Sequence, residues 1–104
     1  AGRLWIATDG QPRSVGSCDS LYATDTEGPG RGMTRLFFNG PVGCEITGPC
    51  ITPDDRTLFL SIQHPGEESR LKSPSTRWPD FNDAMPPRPA VVAITKDDGG
   101  VIGS

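Results

Sequence analysis

The sequence predicts an all-β fold of antiparallel sheets, interrupted by one long proline-rich loop. Thirteen glycines and eleven prolines among 104 residues make the chain dense in turns, and only 34% of its residues are apolar. The apolar residues fall in short runs, and none forms a helical stripe over the roughly 11 residues that an amphipathic helix needs. This pattern disfavours a helical bundle and leaves either a small turn-rich β domain or part of a larger protein.

Three short apolar runs predict the strands of the first half. Leu4–Ala7 ends at the turn dipeptide Asp9-Gly10, and Leu21–Thr24 is closed by another aspartate. Met33–Phe38 follows a glycine-rich loop and stops at an Asn-Gly-Pro turn. Because a short glycine-rich connection joins the second and third runs, we expect them to pair as an antiparallel hairpin.

The second half contains a further group of predicted strands. One run extends from Glu45 to Ile51 and leads to a type I turn with Pro53 at its second position. Leu58–Ile62 is apolar at nearly every position, so we expect it to be buried on both faces. The last clear strand extends from Pro89 to Thr95, and a turn then leads to Val101–Ile102, which gives about seven strands in all.

A long loop is predicted over residues 66–89, where five prolines lie among polar residues. A loop of roughly that length inside a compact domain is either functional or disordered. Trp78, Phe81 and Met85 favour a loop that packs against the sheets.

The three cysteines, Cys18, Cys44 and Cys50, cannot all pair within one chain. Cys44 and Cys50 are close enough in sequence for a local bridge, and a zinc site would need these two with His64 and a further ligand. Buried free thiols are the interpretation we favour, because cysteine behaves as a small hydrophobic residue.

Charge and hydropathy exclude two classes of partner. The net charge is −3, which gives no electrostatic footprint for nucleic acid. No apolar run approaches the roughly 18 residues of a membrane span. We therefore expect neither nucleic acid nor a membrane as a partner.

A weak internal repeat indicates how the strands are organised. Segments that begin at Leu4, Leu21 and Val91 share an apolar strand that ends in threonine and is followed by an aspartate turn. A β-propeller blade uses four short strands of this kind, so the sequence predicts about two blades, at about 1–43 and 44–104. Two blades cannot close a ring, and we expect the isolated chain to self-associate through its unpaired edges. A small self-contained β-sandwich is the alternative.

Four residues are candidates for metal or substrate binding, although the sequence has no nucleophile elbow, P-loop or zinc-protease motif. Glu45 lies among small residues where a strand begins, so its carboxylate is placed to bind a hard cation such as calcium or iron, or is simply solvated. His64 follows a strand and Asp9 occupies a turn, and both have an ordinary structural role as the alternative. Arg88 in the long loop suits a planar oxyanion such as phosphate, or is solvated.

Six segments in colinear order resemble the C-terminal end of the PhoX-type bacterial alkaline phosphatases. The most specific are the motif I-Q-H-P-G-E and the motif R-W-P-D with P-R-P-x-V-V-x-I downstream of it. The segments are Leu4–Gly10, Thr26–Met33, Gly43–Asp55, Leu58–Glu67, Pro74–Asp80 and Pro86–Gly103.

The resemblance implies a β-propeller enzyme that is exported by the twin-arginine route, to the periplasm or outside the cell. It implies hydrolysis of phosphate monoesters with iron and calcium ions held at the propeller centre. On this basis Glu45 and Asp9 are expected to be metal ligands, and His64 and Arg88 to bind substrate. The chain is then a C-terminal fragment that is inactive without the remainder of the propeller. The alternative is a non-catalytic propeller module that has lost the chemistry.

Overall fold

The computed structural model describes residues 2–10 and 16–104. Within these ranges the chain forms six strands and no helix. The described residues therefore contain no helix that is long and apolar enough to cross a membrane. The strands are β1 (Arg3–Ala7), β2 (Ser20–Asp25), β3 (Thr34–Asn39), β4 (Glu45–Ile51), β5 (Thr57–Gln63) and β6 (Ala90–Thr95). They form two antiparallel sheets of order β1-β2-β3 and β4-β5-β6, which confirms the predicted fold class.

The first sheet is a meander with β2 at its centre. The predicted hairpin between the second and third runs is confirmed, since β2 pairs antiparallel with β3. Side chains alternate between the faces, so Trp5 packs on the core while Leu4 and Ile6 on the other face are exposed. Trp5 also meets Phe37 edge to face, with ring centroids 4.9 Å apart.

The second sheet begins with the hairpin β4–β5, whose turn is the predicted one. The Asp55 N–H donates to the Thr52 carbonyl at 2.8 Å, and the Thr52 hydroxyl donates to Asp54 Oδ1 at 2.6 Å. The register shifts between Thr47 and Cys50, where Gly48-Pro49 interrupts the ladder because proline has no N–H to donate.

The extended conformation of β4 also excludes the local disulfide bridge. Six residues of strand span roughly 20 Å, far beyond the roughly 7 Å between Cα atoms that a disulfide tolerates. The cysteines are free: Cys44 is buried, Cys18 is half-buried and Cys50 is exposed. The buried-thiol interpretation is therefore right for Cys44 and wrong for Cys50.

The core lies between the two sheets and takes three fully buried side chains from β5. The prediction that β5 is buried on both faces is wrong: Phe59 is 39% exposed, because only one face of the second sheet is covered by the described chain. The buried apolar residues are Leu21, Cys44, Ile46, Leu58, Leu60, Ile62 and Ile102.

Val101–Ile102 forms a turn and not the seventh strand that the sequence predicted. The Ile102 N–H donates to the Asp55 carbonyl at 2.8 Å, which ties this segment to the β4–β5 turn. The Ile102 side chain is thereby buried at the end of the core that lies near this turn.

The predicted long loop lies between β5 and β6, and it packs less closely than expected. Trp78 contacts the core, but Phe81 is 73% exposed and Met85 is exposed as well. The loop is stabilised from within, because the Arg77 guanidinium donates to the carbonyls of Asp83 at 3.0 Å and Met85 at 3.1 Å.

Candidate functional site

The two sheets are joined at the end of β1 and the start of β4. The Ile46 N–H donates to the Thr8 carbonyl at 3.2 Å. Asp9 follows Thr8, and Glu45 precedes Ile46 as the first residue of β4. The two residues predicted to be metal ligands therefore lie on either side of one hydrogen bond, each a single residue away from it.

His64 is brought to the same place by the β4–β5 register. Glu45 pairs with Gln63, so the next residue, His64, lies beside the start of β4. Its Nε2 lies 3.4 Å from Glu45 Oε2, and its Nδ1 lies 3.2 Å from the Gly43 carbonyl oxygen and 3.5 Å from Glu67 Oε2. Three of the four predicted site residues thus converge.

The surroundings of His64 favour its protonated form. Partial burial lowers the pKa of the imidazole, but the Gly43 carbonyl, the Glu45 carboxylate and the Glu67 carboxylate together raise it above its usual value. Both ring nitrogens face oxygen atoms that only accept hydrogen bonds, and the imidazolium donates from both. His64 is therefore flanked by two carboxylates, whose charge favours its protonated form.

A cavity of about 200 Å³ opens beside this cluster. Four residues with carboxylate side chains line it, together with His64 and Cys44, while Glu45 lies outside the lining and contacts the His64 ring. The carboxylates belong to Asp9, Asp19, Glu67 and Glu68. The cavity is thus rich in acidic residues, with one histidine at its wall.

Cys44 lines the cavity but is not a reactive group. Burial, followed by the nearby charge of Asp19, raises the pKa of its thiol to about 12. The thiolate is the form that binds metals and attacks electrophiles. At neutral pH Cys44 therefore stays a thiol and acts as a small apolar side chain.

Arg88 is not brought to the cavity. Its Nε donates to Asp80 Oδ2 at 2.7 Å and its second terminal nitrogen donates to Asp80 Oδ1 at 2.9 Å, a bidentate pair within the long loop. This pairing lowers the pKa of Asp80 and leaves the guanidinium fork occupied. Arg88 is therefore engaged with Asp80, and its role in substrate binding stays a prediction.

The described residues alone do not complete a metal site. Across 2–10 and 16–104, no group of three or more His, Cys, Asp or Glu side chains is arranged to hold a metal ion. Calcium takes about six to eight oxygen ligands. The carboxylates of Asp9 and Glu45 suit such a cation in kind but are too few in number.

Comparison with known proteins gives this arrangement a context. The family model of the alkaline phosphatase PhoX matches residues 1–66. The chain belongs to the PhoX family. The resemblance inferred from the sequence is thus confirmed.

The PhoX of Pseudomonas fluorescens, solved in complex with vanadate, a transition state analogue, is a structural match with a TM-score of 0.82. It is 39% identical in sequence and covers 98% of this chain. The chain in turn spans only 17% of the length of that PhoX. No match was found among the curated proteins.

Sequence reasoning missed several acidic residues that line the cavity, among them Asp19 and Glu67. Glu67 lies in the motif His64-Pro-Gly-Glu, and its spacing of three residues from the histidine was a usable signal. Asp19 stands just before β2 with no motif around it. Its position at the cavity becomes evident only when β1 and β2 are paired.

Proposed function

We propose that this chain supplies part of the metal site of a phosphomonoesterase, in which calcium and iron are held jointly with residues from the rest of the polypeptide. The observation that carries the proposal is the convergence of Asp9, Glu45 and His64 at one junction between the sheets. Asp9 and Glu45 would hold the cation through their oxygen atoms, while His64 orients Glu45. Bound there, such a cation would neutralise charge on a phosphoryl group.

The charge of the cavity supports this proposal over direct binding of phosphate. A phosphate monoester is an anion, and a wall that includes the carboxylates of Asp9, Asp19 and Glu67 beside a single histidine disfavours it. Cations between the carboxylates and the ester would reverse that repulsion. Arg88 is paired with Asp80 and is not among the residues that line the cavity.

Glu45→Gln in the full-length polypeptide tests the proposal. Glutamine keeps the shape of the side chain but removes the charge that a hard cation needs. We expect bound calcium or iron, measured by plasma mass spectrometry after gel filtration, to fall, and hydrolysis of p-nitrophenyl phosphate to fall at least about tenfold, since even indirect changes to a metal site commonly cost that much.

Two controls make the test specific. Glu27→Gln is the same chemical change at an exposed position between β2 and β3, and should leave metal content and turnover unchanged. The 104-residue chain alone should hydrolyse no p-nitrophenyl phosphate even with added iron and calcium. Full metal content and activity in Glu45→Gln, or robust turnover by the isolated chain, would contradict the shared site.

We further propose that the remainder of the propeller covers the outer faces of the two sheets. On the first sheet Leu36, 57% exposed, lies on the outer face with Leu4 and Ile6. On the second sheet Val91, 66% exposed, lies on the outer face with Phe59. Further sheets of the propeller would pack on these apolar faces, as the two described sheets pack on each other. We also propose that the protein is exported to the periplasm or outside the cell.

The same faces should make the isolated chain self-associate. We expect the double variant Leu36→Glu/Val91→Glu to shift the chain toward monomer in sedimentation velocity, because a charge cannot be buried between stacked sheets. Leu71→Glu, at a loop position that is 77% exposed, is the matched control and should leave association unchanged. A wild-type chain that stays monomeric at high concentration would contradict the prediction.

A further inference from the structure

Asp19 is a buried carboxylate that the proposed metal site does not use. It immediately precedes β2, lines the cavity and is only 4% exposed. Its Oδ1 accepts two short hydrogen bonds, from the Thr8 hydroxyl at 2.6 Å and from the Gly10 N–H at 2.6 Å. These donors flank Asp9 on both sides.

Thr8 is fixed further by the strands around it. Its hydroxyl accepts from the Ser20 N–H at 3.0 Å, and its own N–H donates to the Ser20 carbonyl at 3.1 Å. Its carbonyl accepts from the Ile46 N–H at 3.2 Å. The peptide on the N-terminal side of Asp9 is thus held by both sheets, whereas on the C-terminal side the described contact is the one from Gly10 to Asp19.

We propose that Asp19 is a positioning residue, whose carboxylate oxygen fixes the segment Thr8–Gly10 and so keeps Asp9 at the junction with β4. The inference rests on the proposed function, because that function assigns Asp9 a metal ion to bind. Charge-assisted hydrogen bonds of this length are strong, and a buried carboxylate that accepts from both sides of a turn holds it more firmly than water does.

Three variants of the full-length polypeptide separate positioning from direct metal binding. Asp19→Asn keeps an oxygen that can accept both hydrogen bonds, so calcium affinity measured by isothermal titration calorimetry should stay within about threefold of wild type. Asp19→Ala removes the acceptor, and Thr8→Val leaves the carboxylate in place but removes one of its donors, together with the acceptor of the Ser20 N–H. Both should weaken calcium binding, Asp19→Ala by at least about tenfold.

The opposite pattern would overturn the proposal. If Asp19 bound the metal directly, Asp19→Asn would lose as much affinity as Asp19→Ala, and Thr8→Val would lose none. Unchanged affinity in all three variants would overturn it as well. Should Asp19→Ala fail to fold, the comparison of Asp19→Asn with Thr8→Val still decides.

A matched control comes from the β4–β5 turn. Asp54 Oδ1 likewise accepts from a threonine hydroxyl at 2.6 Å and from the Arg56 N–H at 3.2 Å, at the end of β4 away from Glu45. Asp54→Ala should lower the melting temperature without changing calcium affinity. A loss of affinity there would mean that destabilising any turn weakens the site.

A second measurement keeps this proposal distinct from the metal-binding one. Amide hydrogen exchange of the peptide that contains Gly10 should quicken in Asp19→Ala and stay slow in Asp19→Asn. If the wild-type polypeptide bound no calcium or iron, the proposed function would fail, while the exchange result would still decide whether Asp19 fixes the turn. Exchange that is equally slow in Asp19→Ala would overturn the positioning role.

Discussion

Gly43→Ala is expected to destabilise the chain by about 3 kcal/mol, a large part of the roughly 5–15 kcal/mol that stabilises a small domain. Gly43 has a φ of +73°, and an added Cβ would lie 2.7 Å from the Glu67 backbone nitrogen and 3.1 Å from its carbonyl oxygen. The two loops cannot separate freely, because the Gly66 N–H donates to the Val42 carbonyl at 2.8 Å.

Gly99→Ala is the matched control for this prediction. Gly99 has a φ of +70°, but an added Cβ would meet nothing within 4 Å. The control therefore carries only the conformational cost of alanine at positive φ, about 1 kcal/mol. Urea unfolding of both variants gives the difference; equal losses would mean that the contact between the two loops is not tight.

The Gly43 contact matters for the site as well as for stability. Glu67 and His64 reach the cavity from the loop that Gly43 touches, and the Gly43 carbonyl lies 3.2 Å from His64 Nδ1. A Cβ at position 43 would push this loop away from β4. Calcium affinity of the full-length polypeptide should therefore fall along with stability, more than it does in the Gly99 control.

Much of the fold could be predicted from the sequence because the relevant signals are local. Apolar runs bounded by turn residues identify strands, and the short glycine-rich connection identifies the β2–β3 hairpin. Asp9, Glu45 and His64 were selected as candidates because each stands where a strand begins or ends. Strand ends of adjacent sheets meet at common edges, so residues chosen for this position converge.

What could not be predicted depends on contacts between distant parts of the chain. Arg88 looked available for phosphate because its partner Asp80 is eight residues away in a loop without periodicity. The exposure of Phe59 depends on which face of the second sheet is covered, which the composition of β5 does not encode. Asp19 contacts Thr8 across eleven residues and carries no motif of its own.

Gly40→Ala is expected to cost about 3 kcal/mol for a different reason, the lack of space in the core. Gly40 read as a simple strand terminator in the sequence, but it is buried against the wall of the cavity. An added Cβ would overlap Cys44 Sγ and lie 2.8 Å from Ile46 Cδ1 and 2.9 Å from the Asp19 carbonyl oxygen. That carbonyl already accepts from the Gly40 N–H at 2.9 Å, so the backbone cannot move aside without losing this hydrogen bond.

A double-mutant cycle shows whether this overlap is the cause. Cys44→Ala removes the sulfur atom, so the cost of Gly40→Ala should fall by about 1 kcal/mol or more in the Cys44→Ala background, whereas independent sites would add within about 0.5 kcal/mol. Gly30→Ala is the control, because its added Cβ would lie 2.7 Å from Asp25 Oδ2, the end of a side chain that can rotate away. Among the three single variants, denaturant unfolding should therefore rank Gly40→Ala worst and Gly30→Ala mildest. Strict additivity in the cycle would place the cost in the contacts with Ile46 and Asp19, which Cys44→Ala leaves in place.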